Sequence, residues 1–231
     1  MTVARSAALL LDLDDTLFVE RDYVRSGYSS VSSWLGEQLG VPPRVLMASL
    51  TEIFDSPTRG RAFDTLLAEY GRKDLVDESV RRYRHHKPDI ELTPEAEELL
   101  ATLPSGLPRG IVTDGPTVMQ AGKVEALGLH QRVPVIVLTD RLGGRDAWKP
   151  SPVGLLDAAR RLGVVADQCV YVGDNPHKDF HAARAAGMAS IRYRAGFQVH
   201  RDCEAESSYQ PDTEITSLLD LPAWVDLPPT G

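Results

Sequence analysis

An apolar run that stops abruptly at a group of carboxylates constrains the fold of this chain more than any other feature. Residues 7–11 are all apolar, and three aspartates follow within the next four positions, at Asp12, Asp14 and Asp15. Such a run is typical of a strand buried on both faces of a parallel sheet, whose carboxyl end opens onto the ligand-binding crevice of α/β folds. Carboxylates crowded there repel one another unless a cation lies among them. An ordinary polar turn after the strand is the alternative interpretation.

Other residues that could take part in catalysis or in binding follow later in the chain. Thr113 closes a second apolar run, and Lys149 directly precedes a predicted helix. A third apolar run, residues 169–172, leads into Asp174 and then Asp179. Because strand ends of a parallel sheet share one edge, we expect Thr113 and Asp174 to lie near the first acidic group.

This order resembles the four motifs of the haloacid dehalogenase superfamily. The family pattern reads Asp-x-Asp-x-Thr, then Thr or Ser after an apolar strand, then Lys, and then Gly-Asp followed within a few residues by another Asp. All four motifs are present without a departure and extend from residue 9 to residue 179. The resemblance implies the phosphatase branch of the superfamily, with a helical cap between the first and second motifs.

Hydrophobic periodicity indicates how the chain is organised. Between the first strand and residue 90 the pattern is mostly helical, and strand–helix units alternate after it. We therefore expect an α/β fold, in which a Rossmann-like parallel sheet carries helices on both faces and an all-helical cap domain is inserted. The predicted domains are a discontinuous catalytic core, residues 1–17 and 91–200, a helical cap, residues 18–90, and a C-terminal tail, residues 201–231, partly docked on the core.

The resemblance implies a role for each acid. Asp12 would be the nucleophile that forms an aspartyl-phosphate, and Asp14 would be the general acid and base. Asp12, the main-chain carbonyl of Asp14 and Asp174 would hold Mg²⁺. Asp179 would either reach the metal through water or position Lys149, and an ordinary acid in the first turn of a helix is its alternative interpretation.

Three residues are expected to bind the phosphate group by the same resemblance. They are Thr113, Asp114 and Lys149, of which the hydroxyl and the ammonium would stabilise negative charge on the phosphoryl oxygens. The alternatives are a turn hydroxyl for Thr113 and a solvated surface lysine for Lys149. Two other lysines, Lys123 and Lys178, are expected to face solvent.

Substrate specificity is expected to lie in the cap. Arg21 and Tyr23 follow the first motif closely and are candidates for substrate contacts. The basic cluster at residues 81–87 could attract an anionic substrate. We favour a solvated helix end for this cluster, since cations suit the C-terminal end of a helix.

Bulk properties limit the partners and the cellular location. The net charge of −8 argues against a nucleic-acid partner, because phosphate backbones need a basic surface. No segment is long and apolar enough to cross a membrane. The two cysteines, Cys169 and Cys203, show no metal-type spacing, and this usage fits a reducing, cytoplasmic location. The oligomeric state, monomer or homodimer, is left open.

The predicted activity is hydrolysis of a small phosphorylated metabolite, such as a sugar, polyol or nucleoside monophosphate, with Mg²⁺ as cofactor. A sugar phosphomutase of the same superfamily and a non-catalytic module that binds a phosphorylated ligand are the alternatives. Dehalogenation is disfavoured, because dehalogenase members lack an acid at the position of Asp14.

Overall fold

The chain forms two compact units. The computed structural model describes residues 6–204 and 206–226. The larger unit consists of residues 1–20 and 91–231, and the helical unit consists of residues 21–90. Parts of the predicted core and tail, residues 1–5, 205 and 227–231, lie outside the described residues.

Within the described residues, the strands of the larger unit form one parallel six-stranded sheet in the order β3-β2-β1-β4-β5-β6. This agrees with the predicted Rossmann-like core. The β1 strand lies in the middle, paired with β2 on one side and β4 on the other. The residues that follow these three strands therefore meet at one edge of the sheet. The strands are β1 (Ala8–Leu11), β2 (Arg109–Thr113), β3 (Val135–Leu138), β4 (Cys169–Gly173), β5 (Ala189–Tyr193) and β6 (Thr213–Ile215).

The helical unit is built around a buried aromatic cluster. Tyr28 contacts the rings of Phe63 and Tyr83; Tyr28 and Phe63 lie in the hydrophobic core of the unit, and partly buried Tyr83 packs against it. Its helices are α1 (Glu20–Leu39), which begins one residue before the unit, α2 (Pro43–Phe54), α3 (Ala62–Glu69) and α4 (Val76–His85).

The remaining helices cover both faces of the sheet. The chain steps from β1 outward to β3, and then crosses back to β4 and β5, so right-handed connections place helices on opposite faces. On one face, Leu10 and Tyr171 of the sheet pack with Leu155 and Ala182 from two different helices. The predicted fold class is therefore confirmed. The helices are α5 (Pro94–Thr102), α6 (Thr117–Ala126), α7 (Asp140–Gly143), α8 (Val153–Leu162) and α9 (Asp179–Ala185).

The C-terminal segment contributes to the sheet. The β6 strand extends the sheet beyond β5, and buried Leu218 and Leu221 follow it in a 3₁₀ segment. None of the helices in the described part of the chain has the length and apolarity needed to span a membrane.

Candidate active site

The side chains predicted from three separate motifs meet at the carboxyl edge of the sheet. Asp12 follows β1, and its main-chain N–H continues the strand pairing by donating to the Val172 carbonyl at 2.8 Å. Thr113 is the last residue of β2, and Asp174 follows β4. The side chains of Asp12, Thr113 and Asp174 are all buried. Burial of two neighbouring carboxylates, here Asp12 and Asp174, is unusual.

A cavity of about 220 Å³ opens at this edge. Its lining comes from the larger unit and includes Asp12, Asp14, Asp114, Asp174 and Lys178. Most of the lining groups are charged or polar, so the cavity suits a small and strongly polar ligand rather than an apolar one.

Lys149 lies at the centre of the charged groups. Its Nζ donates to Asp12 Oδ1 at 2.7 Å and lies 2.9 Å from Asp179 Oδ1, and its side chain is fully buried. The same ammonium donates to the Tyr171 hydroxyl at 2.6 Å. Burial disfavours the charged form, but the carboxylates of Asp12 and Asp179 raise the pKa of Lys149 well above its ordinary value. Lys149 is therefore a buried cation and does not lie on the surface.

Asp179 holds Lys149 in place. Its Oδ1 contacts the Lys149 ammonium and accepts a hydrogen bond from the Tyr171 hydroxyl at 3.2 Å. Its Oδ2 accepts one from the main-chain N–H of Asn175 at 2.9 Å. Gly173, the last residue of β4, allows this close approach, because a Cβ at this position would overlap the Asp179 carboxylate. Of the two roles predicted for Asp179, this geometry favours the positioning of Lys149 over contact with the metal through water.

Asp14 is held by two residues of α6. Lys123 Nζ donates to Asp14 Oδ1 at 2.5 Å, and Gln120 Nε2 donates to Asp14 Oδ2 at 2.8 Å. Gln120 also donates to the Thr113 hydroxyl. Burial opposes the charge on Asp14, but the Lys123 ammonium and the hydrogen bonds from Lys123 and Gln120 hold its pKa below the usual value.

The prediction that Lys123 and Lys178 face solvent is wrong. Lys123 is 4% exposed because its ammonium pairs with Asp14, and Lys178 is only half-buried but donates to Asp114 Oδ2 at 3.2 Å. In each case a carboxylate inside the site attracts the side chain inward. A lysine on a helix is normally assigned to solvent by pattern alone, and here the partner acids are distant in sequence.

Asp114 has a carboxylate that is already engaged by donors of the protein. Its Oδ1 accepts from the Thr139 hydroxyl at 2.8 Å and from the main-chain N–H of Lys149 at 3.1 Å. Its Oδ2 accepts from Lys178. Because a carboxylate repels phosphate, a phosphate contact at this position would come from the main-chain N–H and not from the side chain.

The acidic residues fit a hard divalent cation. Carboxylate oxygens of Asp12, Asp174 and Asp179 lie within 4.8 Å of one another. Asp174 Oδ2 is buried and has no hydrogen-bond partner among the described residues. Burial raises the pKa of Asp12 to about 6, and burial with the negative charges of Asp179 and Asp12 raises the pKa of Asp174 well above its usual value. A bound cation would reverse both shifts and would give the unpartnered oxygen a ligand role.

The comparison with protein families agrees with this geometry. The model of the haloacid dehalogenase-like hydrolases matches residues 9–193. The chain belongs to this family.

The hydrolase is similar to curated phosphatases along most of its length. It is 36% identical over 200 residues to a phosphoglycolate phosphatase of Xanthomonas campestris, with 84% of this chain and 86% of the relative covered. It is 31% identical over 236 residues to a glyceraldehyde 3-phosphate phosphatase of Methanopyrus kandleri, with 93% and 96% covered. A solved structure of a 2-haloacid dehalogenase from Pseudomonas syringae superposes with a TM-score of 0.63 at 28% identity, covering 94% of this chain and 96% of that one. The predicted family and its phosphatase type are therefore confirmed.

The loop after β1 is held by hydrogen bonds from the segment that follows β5. The sequence patterns of the hydrolase do not predict this contact. Asp15 adopts a left-handed backbone conformation with φ of 52°. Its Oδ2 accepts from the Val199 N–H at 2.7 Å, its Oδ1 accepts from the Glu20 N–H at 2.8 Å, and its carbonyl accepts from Gln198 Nε2 at 2.8 Å. Asp tolerates this conformation better than most residues, so Asp15 shapes the loop that presents Asp12 and Asp14.

The residues predicted to contact substrate from the cap lie in the helical unit of the hydrolase. Arg21 pairs with Asp55 at 2.7 Å and remains half exposed, whereas Tyr23 is buried against Tyr83 and His86. Their role as substrate contacts stays a prediction. In the basic cluster, Arg81 and Arg82 both pair with Glu78, at 2.6 Å and 2.7 Å.

Proposed function

We propose that this hydrolase cleaves small phosphomonoesters with Mg²⁺ as cofactor and with Asp12 as the nucleophile. The observation that carries the proposal is the convergence of Asp12, Asp14, Thr113, Lys149 and Asp174 at one edge of the sheet, where buried charges surround a small polar cavity. The two curated relatives act, by their names, on phosphoglycolate and on glyceraldehyde 3-phosphate. Both are small phosphorylated metabolites, and a cavity of about 220 Å³ suits substrates of that class.

Asp12 begins the reaction by attacking the phosphorus atom. One of its carboxylate oxygens bonds to phosphorus while the bond from phosphorus to the ester oxygen breaks, which gives an aspartyl-phosphate and an alkoxide. The pKa of about 6 leaves most Asp12 ionised at neutral pH. Lys149, at 2.7 Å from Asp12 Oδ1, fixes the orientation of the carboxylate.

Asp14 acts as the general acid and the general base of the proposed reaction. It donates a proton to the leaving alkoxide, and it later takes one from the water that attacks the phosphorus atom of the aspartyl-phosphate. That attack breaks the bond from phosphorus to the Asp12 oxygen, which regenerates the carboxylate and releases inorganic phosphate. Lys123 opposes the protonated form that the first of these steps needs. The negative charge of an entering phosphate group raises the pKa of a neighbouring carboxyl, so substrate binding itself favours the proton on Asp14.

Phosphate contacts are assigned to groups that carry positive charge or an O–H. The Thr113 hydroxyl and the Lys149 ammonium lie at the same edge and would stabilise the charge that develops on the phosphoryl oxygens. The N–H of Asp114 is the third candidate. Asp12 and Asp174, with the main-chain carbonyl of Asp14, would hold Mg²⁺. When bound, the cation neutralises repulsion between the nucleophile and the phosphate dianion.

We also propose that the helical unit acts as the cap that controls substrate access. Its position in the chain, between the first and second motifs, supports this role, as does its independent hydrophobic core. Hydrogen exchange provides a test. A phosphate analogue is expected to increase protection of amides in residues 21–90, whereas equal protection with and without the analogue would contradict a gating role.

Phosphate release from a panel of phosphorylated metabolites tests the catalytic proposal. The panel includes phosphoglycolate and glyceraldehyde 3-phosphate, and each compound is assayed with Mg²⁺ and with EDTA. Asp12→Asn is expected to abolish turnover because the amide is not a nucleophile. Asp167→Asn is the matched control, since Asp167 is exposed and precedes β4 at the opposite edge of the sheet.

The outcomes separate the proposal from its alternatives. Metal-dependent release that is lost in Asp12→Asn and retained in Asp167→Asn supports the phosphatase. Release that continues in Asp12→Asn would refute the assigned nucleophile. If folded wild-type protein releases no phosphate from any compound, phosphoryl transfer between sugar positions and simple ligand binding become the readings to test.

A further inference from the structure

A second cluster of potential metal ligands lies at the rim of the active-site cavity. It consists of His177, His200 and Cys203, and one ligand atom from each lies within 4.8 Å of the others. The Sγ of Cys203 lies 3.9 Å from Nδ1 of His200. In a tetrahedral zinc site with Zn–S near 2.3 Å and Zn–N near 2.1 Å, the expected S···N separation is about 3.6 Å. The observed spacing is therefore close to that of a ligated pair.

We propose that His177, His200 and Cys203 form a binding site for Zn²⁺ or another soft divalent cation, separate from the acidic Mg²⁺ site. Two imidazoles and a thiolate are the donors that zinc and copper prefer, whereas Mg²⁺ takes oxygen ligands. Three protein ligands leave one tetrahedral position open for water or another small ligand. The proposal does not depend on the phosphatase activity.

The segment that carries two of the ligands is rigidly built. Arg192 on β5 is 1% exposed, and its Nη2 donates to the main-chain carbonyls of Cys203 at 2.7 Å and His200 at 3.0 Å. The Cys203 N–H donates to the His200 carbonyl at 3.1 Å, which closes a turn between the two ligands. These bonds from a buried guanidinium hold the main chain of the segment in place, so the backbone that carries His200 and Cys203 is positioned before an ion arrives.

The third ligand comes from the catalytic loop. His177 lies between Asp174 and Asp179 in sequence, and its main-chain N–H donates to Asn175 Oδ1 at 3.0 Å. Its side chain is exposed, which gives an ion a path into the cluster. The His177 and His200 rings are 5.9 Å apart between centroids and meet edge to face.

Occupancy of this site would join the catalytic loop to the segment after β5. His200 also lines the active-site cavity, so the ion would lie close to the substrate entrance of the larger unit. An ion that binds the folded form and not the unfolded form raises thermal stability. The site therefore has two consequences that can be measured without an activity assay: a thiolate–metal spectrum and a shift in Tm.

Cobalt(II) is the probe of choice, since it replaces zinc and gives a charge-transfer absorption when a thiolate binds it. Untagged full-length protein is reduced, saturated with Mg²⁺ to fill the acidic site, and titrated with Co²⁺. We expect one Co²⁺ per chain with a thiolate charge-transfer band. Cys203→Ser is expected to lose the band, and His177→Ala is expected to lower Co²⁺ affinity by about 100-fold or more.

Matched controls separate ligation from general damage to the fold. Cys169→Ala removes the other cysteine, which is buried in the core, and His130→Ala removes an exposed histidine. Both are expected to keep the band and the affinity. Cys203→Ser is also expected to keep the wild-type Tm in the absence of Co²⁺ and Zn²⁺, which shows that its fold is intact.

A thermal measurement gives a second, independent readout. With Mg²⁺ present, Zn²⁺ at about 100 times its Kd is expected to raise the Tm of the wild type by about 5 °C and to leave Cys203→Ser unchanged. Absence of the thiolate band in the wild type would overturn the proposal. A band or a Tm shift that persists in Cys203→Ser would overturn it as well.

Discussion

The two units of this hydrolase contain ion pairs that differ greatly in their exposure to solvent. At the edge of the sheet, the side chains of Lys149 and Asp179 form an ion pair with no exposure to solvent. In the helical unit, the pair between Arg61 and Asp64 is 79% and 45% exposed. Breaking a buried pair costs about 3–5 kcal/mol, whereas an exposed pair contributes about 0–1 kcal/mol. Ion pairs are therefore expected to contribute far more to the stability of the site than to that of the helical unit, whose core is aromatic and aliphatic.

The largest effect is expected from removing the central cation. Lys149→Met leaves Asp12 and Asp179 buried without their partner, so we expect a loss of about 3–5 kcal/mol in the free energy of unfolding and no measurable turnover. Urea unfolding in EDTA measures the first and phosphate release measures the second. Lys73→Met is the control, because Lys73 is exposed in the helical unit. A Lys149→Met protein with wild-type stability would show that the buried network does not support the fold.

A substitution of Lys123 tests whether its charge controls the pKa of Asp14 and thereby the proton transfers proposed for that residue. Lys123→Met removes the cation that lowers the pKa of Asp14, so burial is then expected to raise that pKa. We expect kcat to fall by about 10–100-fold at neutral pH, because a protonated Asp14 is a poor base for the attacking water. The pH profile of kcat decides the point. Its acidic limb is expected to move to higher pH, and Lys123→Arg is expected to restore most of the wild-type profile.

The acidic site predicts how metal affinity depends on pH. Burial raises the pKa of Asp12 to about 6, and burial with the negative charges of Asp179 and Asp12 raises the pKa of Asp174 well above its usual value. Metal binds the deprotonated carboxylates, so protons compete with Mg²⁺ below these pKa values. We expect affinity for Mg²⁺ to fall by up to about tenfold for each pH unit, per proton displaced, as pH drops through 6. Calorimetric titration at pH 5, 6, 7 and 8 measures the trend, and a flat profile would contradict it.

The stability of the helical unit is expected to depend on side-chain packing more than on charge. A Cβ at Gly27 would overlap the ring of Tyr83, although alanine ordinarily favours a helix. We expect Gly27→Ala to destabilise this unit by about 1–3 kcal/mol through overpacking. Hydrogen exchange within residues 21–90 is the measurement, and Mg²⁺ affinity at the sheet edge serves as the control that should not change. Faster exchange in both units would show that they do not respond separately.

The smallest effect is expected at an exposed ion pair of the helical unit. Arg61→Ala removes the partner of Asp64, whose contact is long at 3.5 Å and well solvated. We expect a change in the free energy of unfolding of less than about 0.5 kcal/mol. Chemical denaturation measures it. A loss comparable to that of Lys149→Met would remove the contrast between the two units.

The sequence was sufficient to predict the parts of the site that follow strand ends. Asp12, Thr113 and Asp174 follow or close apolar runs that are typical of buried strands, the strand–helix alternation predicts a parallel sheet, and parallel pairing brings the three residues together. Gln120 was not singled out and Lys123 was wrongly expected to face solvent, because a helix pattern gives no reason to turn either side chain inward. Their partner, Asp14, lies more than a hundred positions away, with separations of 106 and 109 residues.

The contact between Asp15 and the segment after β5 has a consequence for how the enzyme is made. The Val199 N–H and the Asp15 carboxylate are 184 positions apart. During synthesis the loop after β1 therefore leaves the ribosome long before the residues that hold it. A nascent chain therefore carries Asp12 and Asp14 on a loop without this support until residues 198 and 199 have emerged. Fragments that stop before residue 198 lack both of these contacts, so they are expected to be inert even where their strands have paired.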